Sequence, residues 1–172
     1  MADNDSPLLA CDAMLGGLAR WLRAAGHDAS WHDGIDDGEL VRLCHAEGRI
    51  VLSSDDDIFA YALVRDGVVP SLFVPRGRPV VEQLAHVLRE LNLPRLDPRC
   101  MACGGELAEL TREAAAGRVP PRSLASHERF WSCVRCAKAF WHGTHWRDVD
   151  ERLREVALSA SPRRTAGGTG TA

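Results

Sequence analysis

A chain of 172 residues with 45% apolar content is long enough for one ordinary domain with a small appendage, and it holds no apolar run of membrane-spanning length. Its net charge of −3 is unevenly spread: residues 1–98 carry 9 Arg against 16 Asp and Glu (−7), and residues 99–172 carry 12 Lys and Arg against 8 acids (+4). An acidic half suits hard metal ions, and a basic half suits a polyanion.

Leu8-Leu9-Ala10-Cys11 reads as a buried first strand ending at Asp12. Met14, Leu15, Leu18, Leu22 and Ala25 recur at helical spacing, with Arg20 and Arg23 on another, exposed face and Gly26 as the stop. Ala29-Ser30-Trp31 is a second strand. Asp36 and Asp37 open a helix that buries Leu40, Leu43 and Cys44 and ends at Gly48. Ile50–Ser53 is a third strand, followed by Ser54-Asp55-Asp56-Asp57 and a helix from Ile58 to Arg65. A fourth strand over 71–74 and a fourth helix over 80–91 complete a unit spanning residues 8–94. Strands alternating with helices over short connections predict an α/β fold, a parallel sheet flanked by helices on both faces. Because four helices already cover that sheet, a chain ending near Leu96 is expected to fold. Residues 95–99 read as a linker, 99–158 as a small four-cysteine zinc ribbon with a short helix near 149–158, and 159–172 as a disordered tail.

The ribbon rests on two knuckles, Cys100-Met101-Ala102-Cys103 and Cys133-Val134-Arg135-Cys136. Each CxxC turn offers two thiolates, and two turns complete the tetrahedral S4 shell that zinc prefers. The loop between them exceeds the usual spacing of roughly 15–20 residues, so it must fold outward. Two disulfides or a redox CxxC are the alternative. The matched pairs and the lack of a secretory signal count against both, and imply a cytoplasmic protein. A closed S4 shell leaves no open position, so this zinc is structural. Cys11 and Cys44, in apolar stretches, read as buried free thiols.

In a parallel α/β sheet ligands bind at the carboxyl edge of the strands. Asp12, Asp36, Asp37, Asp55 and Asp57 all fall at strand ends or helix starts on that edge. Singly, each is explained as a helix cap. Together, acids gathered from several loops create a repulsion that a cation relieves, and oxygen ligands without a nearby histidine favour Mg²⁺ or Mn²⁺. Such a site suits phosphodiester hydrolysis.

The run from Asp12 to Arg23, then Gly26-His27-Asp28, Asp37, the strand 50–53 leading to Asp55, both CxxC pairs and the segment 141–146 together resemble the PIN-like ribonucleases of the Mut-seven C-terminal RNase domain family. The resemblance covers about residues 8–155. It implies a PIN-like sheet followed by a zinc ribbon, and metal-dependent cleavage of RNA with Asp12, Asp37 and Asp55 as catalytic Mg/Mn ligands. Asp57 is chosen over Asp56 as a further catalytic residue, since Asp56 should point away from the side that Asp55 faces. The family pattern has a Thr-Arg-Asp-like turn where this chain has Ser53-Ser54-Asp55, which removes a basic residue beside the site.

Arg20 and Arg23 are candidate phosphate contacts, or else a solvated face. Trp131, Trp141, Trp146, Phe130 and Phe140, interleaved with Arg129, Arg135, Lys138 and Arg147, suit stacking on unpaired bases. For Phe140 and Trp141 a place in the ribbon core is the stronger reading. With the zinc shell filled by cysteines, His142 and His145 become polar contacts to a carbonyl or to RNA, and His145 joins Arg20 and Arg23 as a substrate-binding candidate. The expected function is a metal-dependent ribonuclease acting on single-stranded RNA, its ribbon serving affinity and stability and not the chemical step. The alternative is a non-catalytic RNA- or protein-binding module with a vestigial acidic edge. A Toprim-like Asp-x-Asp site ranks behind both, because that fold also wants an early strand-end Glu where this chain has Asp12.

Overall fold

Short apolar runs become the strands Leu9–Cys11 (β1), Ala29–Trp31 (β2), Ile50–Ser53 (β3) and Ser71–Phe73 (β4) of one parallel sheet, in the order β2-β1-β3-β4. The computed structural model describes residues 6–160, except for the side chains of 144–145 and 157–160. β1 is buried along its whole length, as a strand covered on both faces must be. Its side chains alternate between two cores. Leu9, Cys11 and Leu52 point toward Gly16–Ala24 (α1) and Val80–Glu90 (α4), while Ala10 and Val51 point toward Asp37–Glu47 (α2) and Ala62–Arg65 (α3). Cys11 and Cys44 are buried free thiols, and burial pushes both well above the usual thiol range.

Two helices differ from the sequence expectation. The first begins late: Asp12 caps the N–H of Met14, so residues 13–15 form a 3₁₀ turn and α1 starts at Gly16. The helix expected over 58–65 is split. Asp55 caps Asp57 to start a 3₁₀ turn over Asp56–Ala60, Tyr61 is extended at φ −60° and ψ 133°, and only then does α3 begin. Ile58 and Val64 stay buried on either side of the break.

The largest difference lies at the other end of the chain. The helix expected as a short part of the ribbon is Thr144–Ala160 (α7), 17 residues long. Its Val149, Leu153 and Val156 are buried in the same core as Leu84, Val87 and Leu88 of α4. The sheet therefore borrows its fifth helix from the far end of the chain. Four helices do not complete its cover. Nor is 95–99 a free linker, since the Leu96 and Arg99 N–H groups donate to the carbonyls of Ala25 and Arg23 at 2.9 Å each. Gly26, at φ +98°, admits this approach, because a Cβ there would lie 2.5 Å from that of Leu96.

The second sheet is antiparallel, with Leu107–Leu110 (β5), Phe130–Cys133 (β6) and Ala139–Trp141 (β7) in sequence order. The expected outward excursion between β5 and β6 carries two short helices, Arg112–Ala115 (α5) and Pro121–Ser126 (α6). Phe130, Ala115 and Val119 form a small core there. The expected tail lies outside the described residues, apart from 159–160 at the end of α7.

His27 is fully buried, with Ser6 Oγ 2.9 Å from its Nδ1, and burial pushes its pKa below the ordinary 6.5. The unfolded chain thus takes up a proton near pH 6.5 that the folded chain resists. This contribution to stability is whole above that pH and is lost as pH falls through it. Melting temperature is expected to drop between about pH 6.5 and 5, and His27→Gln should flatten that slope in a series of thermal melts.

Candidate functional site

Asp12 leaves the central strand β1 at the carboxyl edge and is only 4% exposed. Its Oδ1 accepts the Met14 N–H at 2.9 Å, and its Oδ2 accepts Ser53 Oγ at 2.5 Å and the Ser54 N–H at 3.0 Å. Ser53 Oγ in turn accepts the Asp55 N–H at 2.9 Å, so one buried hydroxyl links the two acidic strand ends. Ser54 Oγ donates to the Val74 carbonyl at 2.7 Å, tying the end of β3 to that of β4. Asp55 is half-buried, and Asp56 and Asp57 are exposed.

Asp37 opens α2 across the same edge, half-buried. Burial raises its pKa, and the negative charges of Asp55, Asp12, Asp57 and Asp36 raise it further. Like charges from three loops therefore act on one carboxyl group. Asp36 plays the plainer part, capping the Glu39 N–H at 2.9 Å.

Arg76 escaped the sequence reading. From the loop after β4 its Nε donates to the Ser54 carbonyl, and its Nη2 lies 3.3 Å from Asp55 Oδ1. A guanidinium thus stands beside Asp55 although position 54 is a serine. No local pattern announces it, because the contact depends on β4 lying next to β3.

The four knuckle sulfurs all lie within 4.8 Å of one another, and among the described residues they alone form a metal-ligating group that tight. Cys100 and Cys136 are 3.7 Å apart and Cys103 and Cys133 3.4 Å, close to the about 3.8 Å between sulfurs of a tetrahedral ion with 2.3 Å metal–sulfur bonds. Gly105 leaves the room they need: a Cβ there would fall 2.7 Å from Cys133 Sγ. Burial opposes ionisation of Cys133, but the N–H groups of Cys136 and Arg135, 3.5 and 3.4 Å from its sulfur, help lower the thiol to about 6. These cysteines are placed to bind a metal ion with no position left for substrate.

The substrate-binding candidates part company. Arg20 is exposed on α1, as expected. Arg23 is not. It is 5% exposed; its Nε donates to the Ala29 carbonyl at 2.8 Å, and its Nη1 to those of Met101 and Ala102 at 3.2 and 3.0 Å. It straps the first knuckle to the end of α1 and the start of β2, and so belongs to the architecture. The side chain of His145 lies outside the described residues. His142 makes ring contacts where a polar contact was expected: it stacks between Trp131 and Trp146, at centroid distances of 4.5 and 5.6 Å. Burial and the Arg129 charge lower its pKa, which favours the uncharged ring. Phe130 is fully buried, and Trp141 packs against it.

The family model described as the Mut7-C RNAse domain matches residues 7–153, which include the sheet, the cysteine module and more than half of α7. Neither a curated protein nor a solved structure matches the chain. Among the described residues no helix is long and apolar enough to cross a membrane.

Proposed function

The chain belongs to the Mut7-C RNAse domain family, and from that premise we propose that it hydrolyses phosphodiester bonds of single-stranded RNA with Mg²⁺ or Mn²⁺ held by Asp12, Asp37 and Asp55. The observation that carries this reading is the hydrogen-bonded link from Asp12 through Ser53 Oγ to Asp55 at the carboxyl edge, with Asp37 across the same edge, its pKa raised by burial and by the charges of Asp55, Asp12 and Asp57. Gathering these acids at one edge creates a repulsion that a cation relieves, and oxygen donors suit a hard one. When bound, such an ion supplies a water of lowered pKa and stabilises the leaving oxygen. Asp12, fixed by three hydrogen bonds, and Asp55, joined to it through Ser53, are the principal ligands. Asp37 and Asp57 complete the shell or orient the attacking water. Arg76 keeps part of its guanidinium free for a phosphate oxygen.

The test compares labelled single-stranded RNA incubated with Mn²⁺, Mg²⁺, Ca²⁺ or no added divalent ion. Cleavage is expected with the first two only. A non-catalytic binding module would retain RNA in all four and leave it intact, and intact RNA after long incubation with Mn²⁺ would overturn the nuclease reading.

For the cysteine set the metal is zinc, by donor type and spacing. Its four free thiols suit a reducing compartment such as the cytoplasm. Metal analysis of the purified chain is expected to find one zinc per chain. Cys133→Ser should lose it and release Phe130 and β6 from protection against amide exchange, because binding free energy at such sites is folding free energy. Retention of one zinc by that variant would remove Cys133 from the ligand set.

A further inference from the structure

A cavity of about 1110 Å³ lies between the start of α1 and the cysteine module. Met14, Arg20 and Trp31 form one wall, and Lys138, Phe140 and Trp146 the other. Ala13 and Met14 of its lining follow Asp12 directly in the chain.

Three properties of the cleft define its occupant. The first is a set of positioned aromatic rings. Trp31 Nε1 donates to the Ala13 carbonyl at 3.1 Å, and the indole rests where a Cβ on Gly16 would come within 2.7 Å of it. Gly16 thus makes room for a fixed, half-exposed ring. Phe140 and Trp146 line the same cavity and also a second one of about 320 Å³, where Arg129 lies 5.2 Å over the Trp131 ring. The second property is charge. Arg20 and Lys138 are exposed cations, and no Asp or Glu lines the first cavity, although the chain as a whole carries −3; Asp97 lines the second, together with Arg129. The third is construction from both modules. One wall comes from the sheet and the other from β7 and α7, with Arg23 bolting the first knuckle to α1.

We propose that this cleft is the binding track for a single strand of RNA, with bases against Trp31, Phe140 and Trp146 and phosphates on Arg20 and Lys138, and that it leads the strand to Asp12. The choice of RNA rests on the ribonuclease reading above. Cations interleaved with rings suit unpaired nucleotides, whose faces are free to stack, whereas a duplex hides those faces. An acidic peptide would use the cations and leave the rings idle.

The test uses the full zinc-loaded chain and a fluorescent 12-nucleotide uridine RNA, without added Mg²⁺ or Mn²⁺, read by anisotropy. Arg20→Glu and Lys138→Glu are each expected to weaken binding about tenfold and to lower the salt slope by about 1. Arg65→Glu, the same charge change on α3 across the sheet, should shift it less than about twofold. Lys138→Gln, which only neutralises the side chain, should fall between wild type and Lys138→Glu. Lys138 is the sole lysine of the chain, so bound RNA should also shield it from reductive methylation, read by mass spectrometry. Equal effects of cleft and control variants, an unshielded Lys138, or equal affinity for an RNA duplex would each overturn the proposal. Cleavage with Mn²⁺ alongside wild-type binding by the cleft variants would sink the cleft alone. The expected binding pattern without any cleavage would sink the nuclease reading and leave the cleft standing.

Discussion

Asp37→Asn is expected to lower RNA cleavage at least about 100-fold while the chain melts at an unchanged or higher temperature. The two halves of that expectation have one cause. Asp37 is held above the usual carboxylate range by burial and by the charges of Asp55, Asp12, Asp57 and Asp36, so its ionised form costs the fold something at neutral pH. Removing the charge relieves that repulsion and removes a ligand. Asp12→Asn should behave differently. Asp12 is buried and accepts three hydrogen bonds, one each from Met14, Ser53 and Ser54. An amide cannot accept all three, and leaving a buried donor unpaired costs about 1–3 kcal/mol. Turnover on labelled RNA, measured beside a thermal melt, separates the two effects. If Asp37→Asn cleaved like wild type, Asp37 would leave the site. If Asp12→Asn melted like wild type, its hydrogen bonds would carry no net stability.

What the sequence discloses here depends on how local the signal is. The strands could be read because short apolar runs stand between Gly-, Asp- and Ser-rich turns, and β2 and β3 have the expected bounds. The acidic edge could be read from topology, because strand ends of a parallel sheet share one side. The knuckles could be read from spacing alone. Arg23 and α7 could not, and for one reason: both depend on the cysteine module folding back onto the sheet. Arg23 is three residues from Arg20 and just as charged, yet the carbonyls of Met101 and Ala102 bury it. In α7, Val149, Leu153 and Val156 follow helical spacing, but charged residues surround them, and nothing nearby names α4 as their partner. Arg76 belongs with these. Its place beside Asp55 comes from the pairing of β3 with β4, and no residue near Asp55 in the chain foretells it.

A chain ending at Leu96 is expected to lose cooperative folding, against what the helix count of the first 94 residues suggested. Truncation would take Val149, Leu153 and Val156 out of the core and bare Leu84, Val87 and Leu88, the face that α4 turns to α7. Each of the three lost side chains is at most 3% exposed in the intact molecule. Burying a side chain of this kind is worth about 1.5–3 kcal/mol, so the sum rivals the whole stability of an ordinary domain, about 5–15 kcal/mol. The single substitution Leu153→Ala tests the same contact more gently and should cost about 2–5 kcal/mol, measured by denaturant unfolding of the full chain. This also decides how the role of the cysteine module can be studied. The module lies between α4 and α7, so deleting everything after α4 removes core and module together, and a lost activity would say nothing about zinc. Cys133→Ser in the full chain keeps α7 in place and isolates the module. A Leu96-terminated chain that melted cooperatively near the wild-type temperature would show that α7 is dispensable to the sheet, and the Leu153→Ala cost should then be small as well.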